Sequence, residues 1–280
     1  MDIIDLHIHT ECSDGSLKIS DLSSFAKENN IKVLSITDHD NVDAYSLLNK
    51  EYSSDLNYKI IPGVEITTEH NNSIIHLLGY GMDINNKEFN MLIRQIKLSF
   101  ATQMTAVLRK LRNRGIVFED EKQWVIKGLD KLAVYLVERG YFDNTEAFFY
   151  DIFYCEGKRV LQRKKPKSRD VIEAVNKAGG FVSLAHPVII SNNLSEIEEL
   201  IIELKSLGLS AVECYHPLQS NNYNEYIAIT KRHNLLITGG SDFHDSNSIE
   251  YLENIKKWGY SFEILGEVFD QCWNNRNISR

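Results

Sequence analysis

Six of the nine histidines in this 280-residue sequence lie at the ends of short apolar runs and close to acidic residues. Imidazole nitrogens and carboxylate oxygens together form the donor set that zinc, manganese and iron accept in proteins. The candidate ligands, in chain order, are His7, His9, Asp14, His39, Glu65, His76, His186, Asp242 and His244. The sequence therefore predicts a catalytic centre that holds several divalent cations, not a set of buried core histidines.

His7 and His9 illustrate why the whole set carries more weight than any member. Residues i and i+2 of a strand point to the same side, so these two imidazoles can bind one ion, with Asp5 on the same face as support. Such a pair alone is weak evidence, because a hydrogen-bonded histidine at a strand end is common. His70 and His233 do not fit the set and are expected to have surface or structural roles.

The elements that must position these side chains alternate between strands and helices. Predicted strands are Ile3–His9, Ile31–Thr37, Tyr58–Ile66, Phe181–Leu184, Ala211–Tyr215 and Leu235–Thr238, with Ser73–Tyr80 as a fourth strand or a hairpin partner. Predicted helices between them are Leu17–Asn29, Val42 to about Tyr52, Leu194–Leu207 and Tyr223–His233. This alternation is typical of a parallel sheet, and the number of units favours a closed or nearly closed barrel. Active sites of such barrels lie at the carboxyl ends of the strands, where most candidate ligands fall.

The pattern changes between residues 84 and 169. Apolar residues at helical spacing from Phe89 to Leu111 predict one long helix, and Leu129–Arg139 and Thr145–Tyr154 predict two more. We therefore expect a metal-binding barrel formed by residues 1–83 and 170–280. Residues 84–169 would form a helical insertion that shapes the substrate pocket.

Composition narrows the class of protein. Hydrophobic residues make up 43% of the chain, and 39 acidic against 31 basic residues give a net charge of −8, which opposes sequence-independent binding to duplex nucleic acid. Without an apolar run of roughly 20 residues or a signal-peptide pattern, we expect a cytoplasmic protein with no membrane partner. The four cysteines form no CxxC pair and are expected to be reduced thiols.

Seven motifs together resemble those of the PHP (polymerase and histidinol phosphatase) family over nearly the full chain. They are Asp5-Leu6-His7-Ile8-His9-Thr10, Ser13-Asp14-Gly15, Thr37-Asp38-His39-Asp40, Pro62-Gly63-Val64-Glu65-Ile66, Ile75-His76-Leu77-Leu78-Gly79-Tyr80, Leu184-Ala185-His186-Pro187 and Gly240-Ser241-Asp242-Phe243-His244. The resemblance implies a distorted (β/α)7 barrel of the TIM-like type with three divalent metal ions, which would be manganese, zinc or iron. Within the family, the likeness is strongest to small bacterial phosphoesterases that act on nucleoside 3′,5′-bisphosphates and on the 5′ ends of short RNAs.

The resemblance also implies how the ligands are shared. One ion would be held by His7, His9, Glu65 and Asp242, a second by Glu65, His76 and His186, and a third by Asp14, His39 and His244. Water activated by the ions would then attack the phosphate ester. Asp38 and Asp40 flank His39 and are predicted catalytic-site residues, which would orient a ligand or handle the leaving-group proton. For Asp40, capping of the next helix is an equal alternative.

Substrate specificity is predicted to lie in the insertion. Seven of the twelve residues from Lys158 to Arg169 are basic, and this run is either a phosphate-binding segment, with Arg163 and Lys164 as contacts, or a solvated linker. Where the family commonly has an arginine and a histidine, this chain has Gly128-Leu129-Asp130-Lys131-Leu132, so Lys131 is a further candidate for phosphate contact. His216, beside Pro217, is a candidate for substrate contact near the metal centre.

We expect a small phosphorylated substrate, a nucleotide or a short single-stranded RNA, and no obligatory protein partner. The main alternative is a histidinol-phosphate phosphatase. Two less favoured alternatives are a noncatalytic PHP-type module that supports a partner, and a metal amidohydrolase. The latter generally has a bridging lysine where this chain has Glu65.

Overall fold

Strands and helices alternate in the amino-terminal and carboxyl-terminal parts of the chain. The computed structural model describes residues 3–51, 58–219, 222–245, 248 and 250. The elements up to residue 80 are β1 (Ile3–Ile8), α1 (Leu22–Glu28), β2 (Ile31–Ile36), α2 (Asp43–Glu51), β3 (Lys59–Ile60), β4 (Gly63–His70) and β5 (Ser73–Tyr80). They are followed by α3 (Lys87–Arg112), α4 (Lys122–Glu138), α5 (Thr145–Phe153), β6 (Tyr154–Cys155), β7 (Lys158–Arg159), α6 (Ser168–Lys177), β8 (Phe181–Leu184), α7 (Pro187–Ile190), α8 (Leu194–Ser206), β9 (Ala211–Tyr215), α9 (Tyr223–Arg232) and β10 (Leu236–Gly239).

Most predicted elements are confirmed with small shifts at their ends. The predicted helix from Leu17 is a 3-10 turn, Ile19–Asp21, followed by α1. The helix predicted to end near Tyr52 is α2, and Tyr52 itself lies outside the described residues. β1 and β9 are buried along their whole length, as expected for strands covered on both faces.

The predicted single strand Tyr58–Ile66 is wrong, because the structure has two strands there. β3 pairs with β2, whereas β4 begins after Pro62 and belongs to another sheet. Proline has no N–H to donate to a ladder, so it interrupts the pairing at this point.

The predicted parallel sheet is only partly confirmed. β1, β2 and β3 form a parallel three-stranded sheet, and a five-stranded sheet has the order β10-β9-β8-β5-β4. In the latter, β5 runs antiparallel to both β4 and β8. The cause lies in Asn71 and Asn72, whose φ angles of 46° and 65° form a tight two-residue hairpin turn with no helix between the strands.

Two isolated bridges link β1 with the segment after β10 and the segment after β2 with β4. Ile8 pairs with Phe243, and His39 pairs with Glu65. The predicted mixed α/β class is confirmed, but the described strands form separate sheets without a continuous ladder. The closed (β/α)7 barrel therefore stays a prediction.

The chain divides into two compact units. The first comprises Met1–Leu92 and Pro166–Arg280, and the second is Ile93–Lys165. The second has its own apolar core, in which Leu111, Leu136 and Phe148 are fully buried. Its helix α4 contains Gly128 at φ 85°, a conformation that glycine adopts without strain, and this kink precedes the helix predicted from Leu129.

Within the described part of the chain, no helix is both long enough and apolar enough to cross a membrane. Cys12, Cys155 and Cys214 are free thiols, and Cys272 lies outside the described residues.

Candidate metal centre

All nine candidate ligands lie in the first unit, on strands or just after them. They comprise His7 in β1, His9 directly after it, Asp14 in the following loop, His39 after β2, Glu65 in β4, His76 in β5, His186 after β8, and Asp242 and His244 after β10. Glu65 lies near the start of β4, so its predicted position near a strand end is wrong. This follows from the interruption at Pro62, which makes β4 begin at Gly63 and extend to His70.

The first group of donors surrounds two carboxylate oxygens. Oε2 of Glu65 lies 3.2 Å from Nε2 of His7 and 3.3 Å from Nε2 of His9. Oδ1 of Asp242 lies 3.3 Å and 3.1 Å from the same two nitrogens. The ligand atoms of these four residues all lie within 4.8 Å of one another, close enough to hold one ion.

Glu65 presents its other oxygen to a second pair of imidazoles. Oε1 lies 2.8 Å from Nδ1 of His76 and 2.8 Å from Nε2 of His186. Nδ1 of His39 lies 3.1 Å from Oε2. A carboxylate whose two oxygens face different imidazole sets has the arrangement of a bridging ligand.

Asp14 is the centre of a third group. Its Oδ2 lies 3.4 Å from Nε2 of His244 and 3.8 Å from Nε2 of His39, and its Oδ1 lies 3.6 Å from Nδ1 of His9. The ring of His9 stacks on that of His244 with a centroid separation of 4.0 Å. The ligand atoms of Asp14, His244, His39 and His9 all lie within 4.8 Å of one another, so this group too could hold one ion.

Several buried donors in this cluster lack a hydrogen bond. They are both ring nitrogens of His9, Nδ1 of His186 and Oδ1 of Asp14. Burying a polar atom without a partner costs free energy, and such atoms are rare in native structures. His9 is completely buried, and its Nε2 points at two carboxylates. The donor set therefore fits divalent cations, which would satisfy Nε2 of His9 and Oδ1 of Asp14.

The charges of the cluster are strongly coupled. Burial works to lower the pKa of His9, but the carboxylates of Asp242 and Glu65 outweigh it and raise that pKa to about 10. Burial likewise works to raise the pKa of Glu65, but the surrounding imidazoles, His39 first, hold it well below its usual range. Asp242 is shifted in the same direction, chiefly by His7. Without ions, protons on His7 and His9 thus balance the carboxylates, whereas burial lowers the pKa of His39 to about 4.

Glu213 is a functional candidate that the sequence analysis missed. It is fully buried in β9, and its Oε1 lies 2.8 Å from Nδ1 of His7. The available signal was one acidic residue inside an otherwise apolar strand, Ala211–Tyr215. A single acid in a buried strand did not by itself indicate a site, even with His216 three residues further along.

Asp5 and Asp38 support the loops that carry ligands. Asp5 accepts hydrogen bonds from the backbone N–H and hydroxyl of Ser241, at 2.9 and 2.6 Å, and burial raises its pKa to about 6. Asp38 accepts from the backbone N–H and hydroxyl of Thr10 and from the hydroxyl of Ser13, each at 2.7 Å. The support predicted for Asp5 therefore reaches the segment before Asp242 as well as the backbone of His7.

Asp40 and His216 are also in the first unit. Oδ1 of Asp40 accepts a hydrogen bond from the backbone N–H of Thr67 at 3.0 Å, which fixes this residue against β4. His216 is 1% exposed, and its Nε2 lies 3.4 Å from Oδ2 of Asp242. In this position His216 contacts a candidate ligand, and its predicted contact with substrate stays untested.

The other predicted substrate contacts lie in the second unit. Lys131 lies in α4, and the exposed Lys164 follows β7. The guanidinium of Arg163 lies 5.1 Å from the centre of the Phe100 ring, within the same unit. In α5, Phe148 and Phe153 are buried, whereas Tyr150 is 64% exposed.

His70 and His233 take the structural roles predicted for them. The ring nitrogens of His70 lie 2.6 Å from the hydroxyl of Ser168 and 2.8 Å from Glu203. Nε2 of His233 lies 2.7 Å from Glu198. Both are outside the metal-ligand groups of the described residues.

The fold and the converging donors define a metal-dependent phosphoesterase of the PHP type. The family model for the PHP domain matches residues 5–208, and the chain belongs to this family. This match and two curated relatives confirm the predicted family and the predicted enzyme class, a hydrolase of phosphoric ester bonds.

Two curated relatives cover most of the chain. The 5′-3′ exoribonuclease Rnm of Escherichia coli (strain K12) is 30% identical over 262 residues, covering 86% of this chain and 85% of the relative. The 3′,5′-nucleoside bisphosphate phosphatase of Chromobacterium violaceum is 25% identical over 252 residues, covering 86% and 87%. A solved structure described as an amidohydrolase from the same organism, with bound sulfate and no metal, has a TM-score of 0.72 at 22% identity and covers 87% of this chain and 88% of its own. This last likeness concerns the fold alone.

Proposed function

We propose that this protein is a cytoplasmic phosphoesterase that hydrolyses phosphomonoesters of the nucleoside 3′,5′-bisphosphate type or acts on the 5′ ends of short RNAs. The observation that carries the proposal is the position of Glu65, whose two oxygens face separate imidazole sets. The two curated relatives act on substrates of these kinds by name, which supports the choice of substrate class.

Three divalent ions would be held by this centre. The proposed sets are His7, His9, Glu65 and Asp242 for one ion, Glu65, His76 and His186 for a second, and Asp14, His39 and His244 for a third. Contacts of 2.8 to 3.8 Å among these donors support a shared centre, in which His39 also lies 3.1 Å from Glu65 and His9 lies 3.6 Å from Asp14. Mixed imidazole and carboxylate donors suit manganese, zinc or iron.

The proposal includes the (β/α)7 barrel as the scaffold of the site. The bridges between Ile8 and Phe243 and between His39 and Glu65 support it, since they link β1 with the segment after β10 and the segment after β2 with β4, beside the ligands. A barrel closed in this way would hold ligands from distant strands at fixed separations.

The chemistry follows from charge. When bound, divalent ions lower the pKa of water towards neutrality and stabilise charge on the attacking and leaving oxygens of a phosphate ester. Asp14, Glu65 and Asp242 contribute three negative charges, half of what three dications would bring, so the loaded centre would attract a phosphate dianion. Asp38 and Asp40 would orient a ligand or handle the leaving-group proton. The contacts of Asp38 favour the orienting role.

Binding of a second phosphate or of the RNA chain is proposed for basic residues of the second unit. Lys131, Arg163 and Lys164 supply positive charge in an otherwise acidic protein. His216 is proposed to act on substrate only through Asp242, which it contacts.

The test is phosphate and nucleotide release by the purified protein with Mn²⁺. Substrates are adenosine 3′,5′-bisphosphate, a short 5′-phosphorylated RNA and histidinol phosphate at matched concentrations. We expect release from the first two, lost in His7→Ala and retained in His70→Ala, a histidine with a carboxylate partner outside the centre. Preference for histidinol phosphate, or no release from any of the three, would contradict the proposal.

A further inference from the structure

Glu213 contacts two candidate ligands from a position where no charge is expected. It lies on β9 between Val212 and Cys214, and all three side chains are fully buried. Its Oε1 lies 2.8 Å from Nδ1 of His7, and its Oε2 accepts a hydrogen bond of 2.7 Å from the backbone N–H of His186. A buried carboxylate costs several kcal/mol unless it is well paired, so this arrangement requires both partners.

The contact with His7 determines which of its nitrogens is available. A carboxylate only accepts hydrogen bonds, so Nδ1 of His7 must carry the proton. Nε2, which lies 3.2 Å from Glu65 and 3.3 Å from Asp242, is then the nitrogen whose lone pair would bind an ion. In metal sites, a carboxylate on the second imidazole nitrogen fixes the ring orientation and raises the basicity of the ligand.

The contact with His186 stabilises an unusual backbone. His186 has a φ of 26° and a ψ of 62°, a left-handed conformation that costs free energy for a residue with a side chain. Its N–H is held by Glu213, while its Nε2 lies 2.8 Å from Glu65. The same carboxylate therefore orients two ligands that face different oxygens of Glu65.

The backbone of Glu213 is itself fixed. The side-chain amide of the fully buried Gln219 donates hydrogen bonds of 3.1 Å to the carbonyl oxygens of Glu213 and Cys214. Such support leaves the carboxylate little freedom to move away from its partners.

We propose that Glu213 is a positioning residue of the metal centre, which sets the tautomer of His7 and holds the backbone of His186. The inference rests on the proposed metal-dependent function. It predicts that Glu213 affects the ions held by His7 and by His186, and leaves the set of Asp14, His39 and His244 unchanged.

The test is calorimetric titration of the metal-free protein with Zn²⁺. In Glu213→Gln, one amide oxygen can serve only one of the two donors, and the amide NH2 opposes the other. We expect Zn²⁺ to bind roughly 10- to 100-fold more weakly at the two affected sites and with wild-type affinity at the third. The matched control is Glu198→Gln, which removes a carboxylate beside His233 and should leave all affinities unchanged. Wild-type affinities at every site of Glu213→Gln would overturn the inference.

A second measurement needs no variant at Glu213 and covers the case in which Glu213→Gln fails to fold. Nitrogen-15 NMR of the zinc-loaded wild-type protein should show His7 with a proton on Nδ1 and zinc on Nε2. A proton on Nε2, zinc on Nδ1, or no zinc binding at all would overturn the inference. If these results hold but no phosphate ester is hydrolysed, the proposed function fails and the role of Glu213 stands.

Discussion

Asp38 precedes the candidate ligand His39, and its contacts favour a structural role over proton transfer. Its hydrogen bonds from Thr10 and Ser13 fix the loop that leads to Asp14. We expect Asp38→Asn to lower the free energy of unfolding by about 1 to 3 kcal/mol, because the amide NH2 must face a donor in a buried position. Urea unfolding measures this, with the exposed Asp21→Asn as control.

A separate result would assign Asp38 to catalysis instead. If Asp38→Asn kept its metal content and its stability but lost one limb of the pH–rate profile, the carboxylate would be handling a proton and the orienting role would be wrong.

His9 predicts how the metal-free protein responds to pH. Its pKa is raised from 6.5 to about 10 by Asp242 and Glu65, against the effect of burial. A histidine with a raised pKa in the folded state contributes stability that is complete below pH 6.5 and is lost as pH rises towards 10. We expect the Tm of the protein in a chelator to fall between pH 7 and pH 10, measured by thermal unfolding.

The matched measurement is the same titration with metal bound. Ions replace the protons on the imidazoles, so the fall in Tm should be smaller in the loaded protein. A Tm of the metal-free protein that is constant or rises over this interval would contradict the charge balance described for the centre.

At the residue scale, the ligands could be predicted because histidines and acids recur at strand ends in recognisable spacings. Glu213 could not, since its meaning depends on its contacts with His7 and His186, which are far away in the chain. The contacts of Asp5 with Ser241 likewise join residues from opposite ends of the sequence.

At the scale of elements, apolar patterning located most strands and helices but not the direction of every strand. The interruption at Pro62 and the turn at Asn71 and Asn72 are both visible in the sequence as ordinary punctuation. The hairpin of β4 and β5 agrees with the predicted hairpin alternative, whereas the antiparallel pairing of β5 with β8 depends on which distant strands pair, and local pattern does not specify that.

The segment after β10 is packed so tightly on β1 that only glycine fits. A Cβ at Gly240 would lie 2.3 Å from Cβ and 2.4 Å from the backbone nitrogen of His7. We expect Gly240→Ala to lower the free energy of unfolding by about 3 kcal/mol, because backbone must move, and to reduce metal content by displacing Asp242. Chemical unfolding and elemental analysis measure the two effects.

Gly115→Ala provides the control for this substitution. Gly115 has a φ of 82° but nothing within 4 Å of an added Cβ, so only backbone strain of about 1 to 2 kcal/mol is expected, with normal metal content. Equal effects of the two substitutions on metal content would show that the packing of Gly240 on His7 is unimportant for the centre.

In the whole molecule, charge is distributed unevenly. The net charge is −8, yet seven of the twelve residues in the basic run from Lys158 to Arg169 are positively charged. If Lys164 binds phosphate, Lys164→Ala should raise KM for adenosine 3′,5′-bisphosphate about two- to fivefold without changing metal content, as expected for one exposed ion pair. The effect should shrink as ionic strength rises. Steady-state kinetics at two salt concentrations measure it.

Lys122→Ala is the matched control, an exposed lysine of α4 outside the basic run. Identical KM values for the two variants would favour the linker interpretation of the run. Within that run, Lys167 belongs to the first unit and forms an ion pair with Glu69 of the same unit. Part of the positive charge of the run therefore has a structural partner.

The most direct test of the metal centre is anomalous diffraction at the manganese edge from crystals of the Mn²⁺-loaded protein. We predict peaks among the side chains around Glu65 and Asp14, with Glu65 between two of them. Ordered His7, Glu65 and Asp242 with no anomalous peak among them would contradict this prediction.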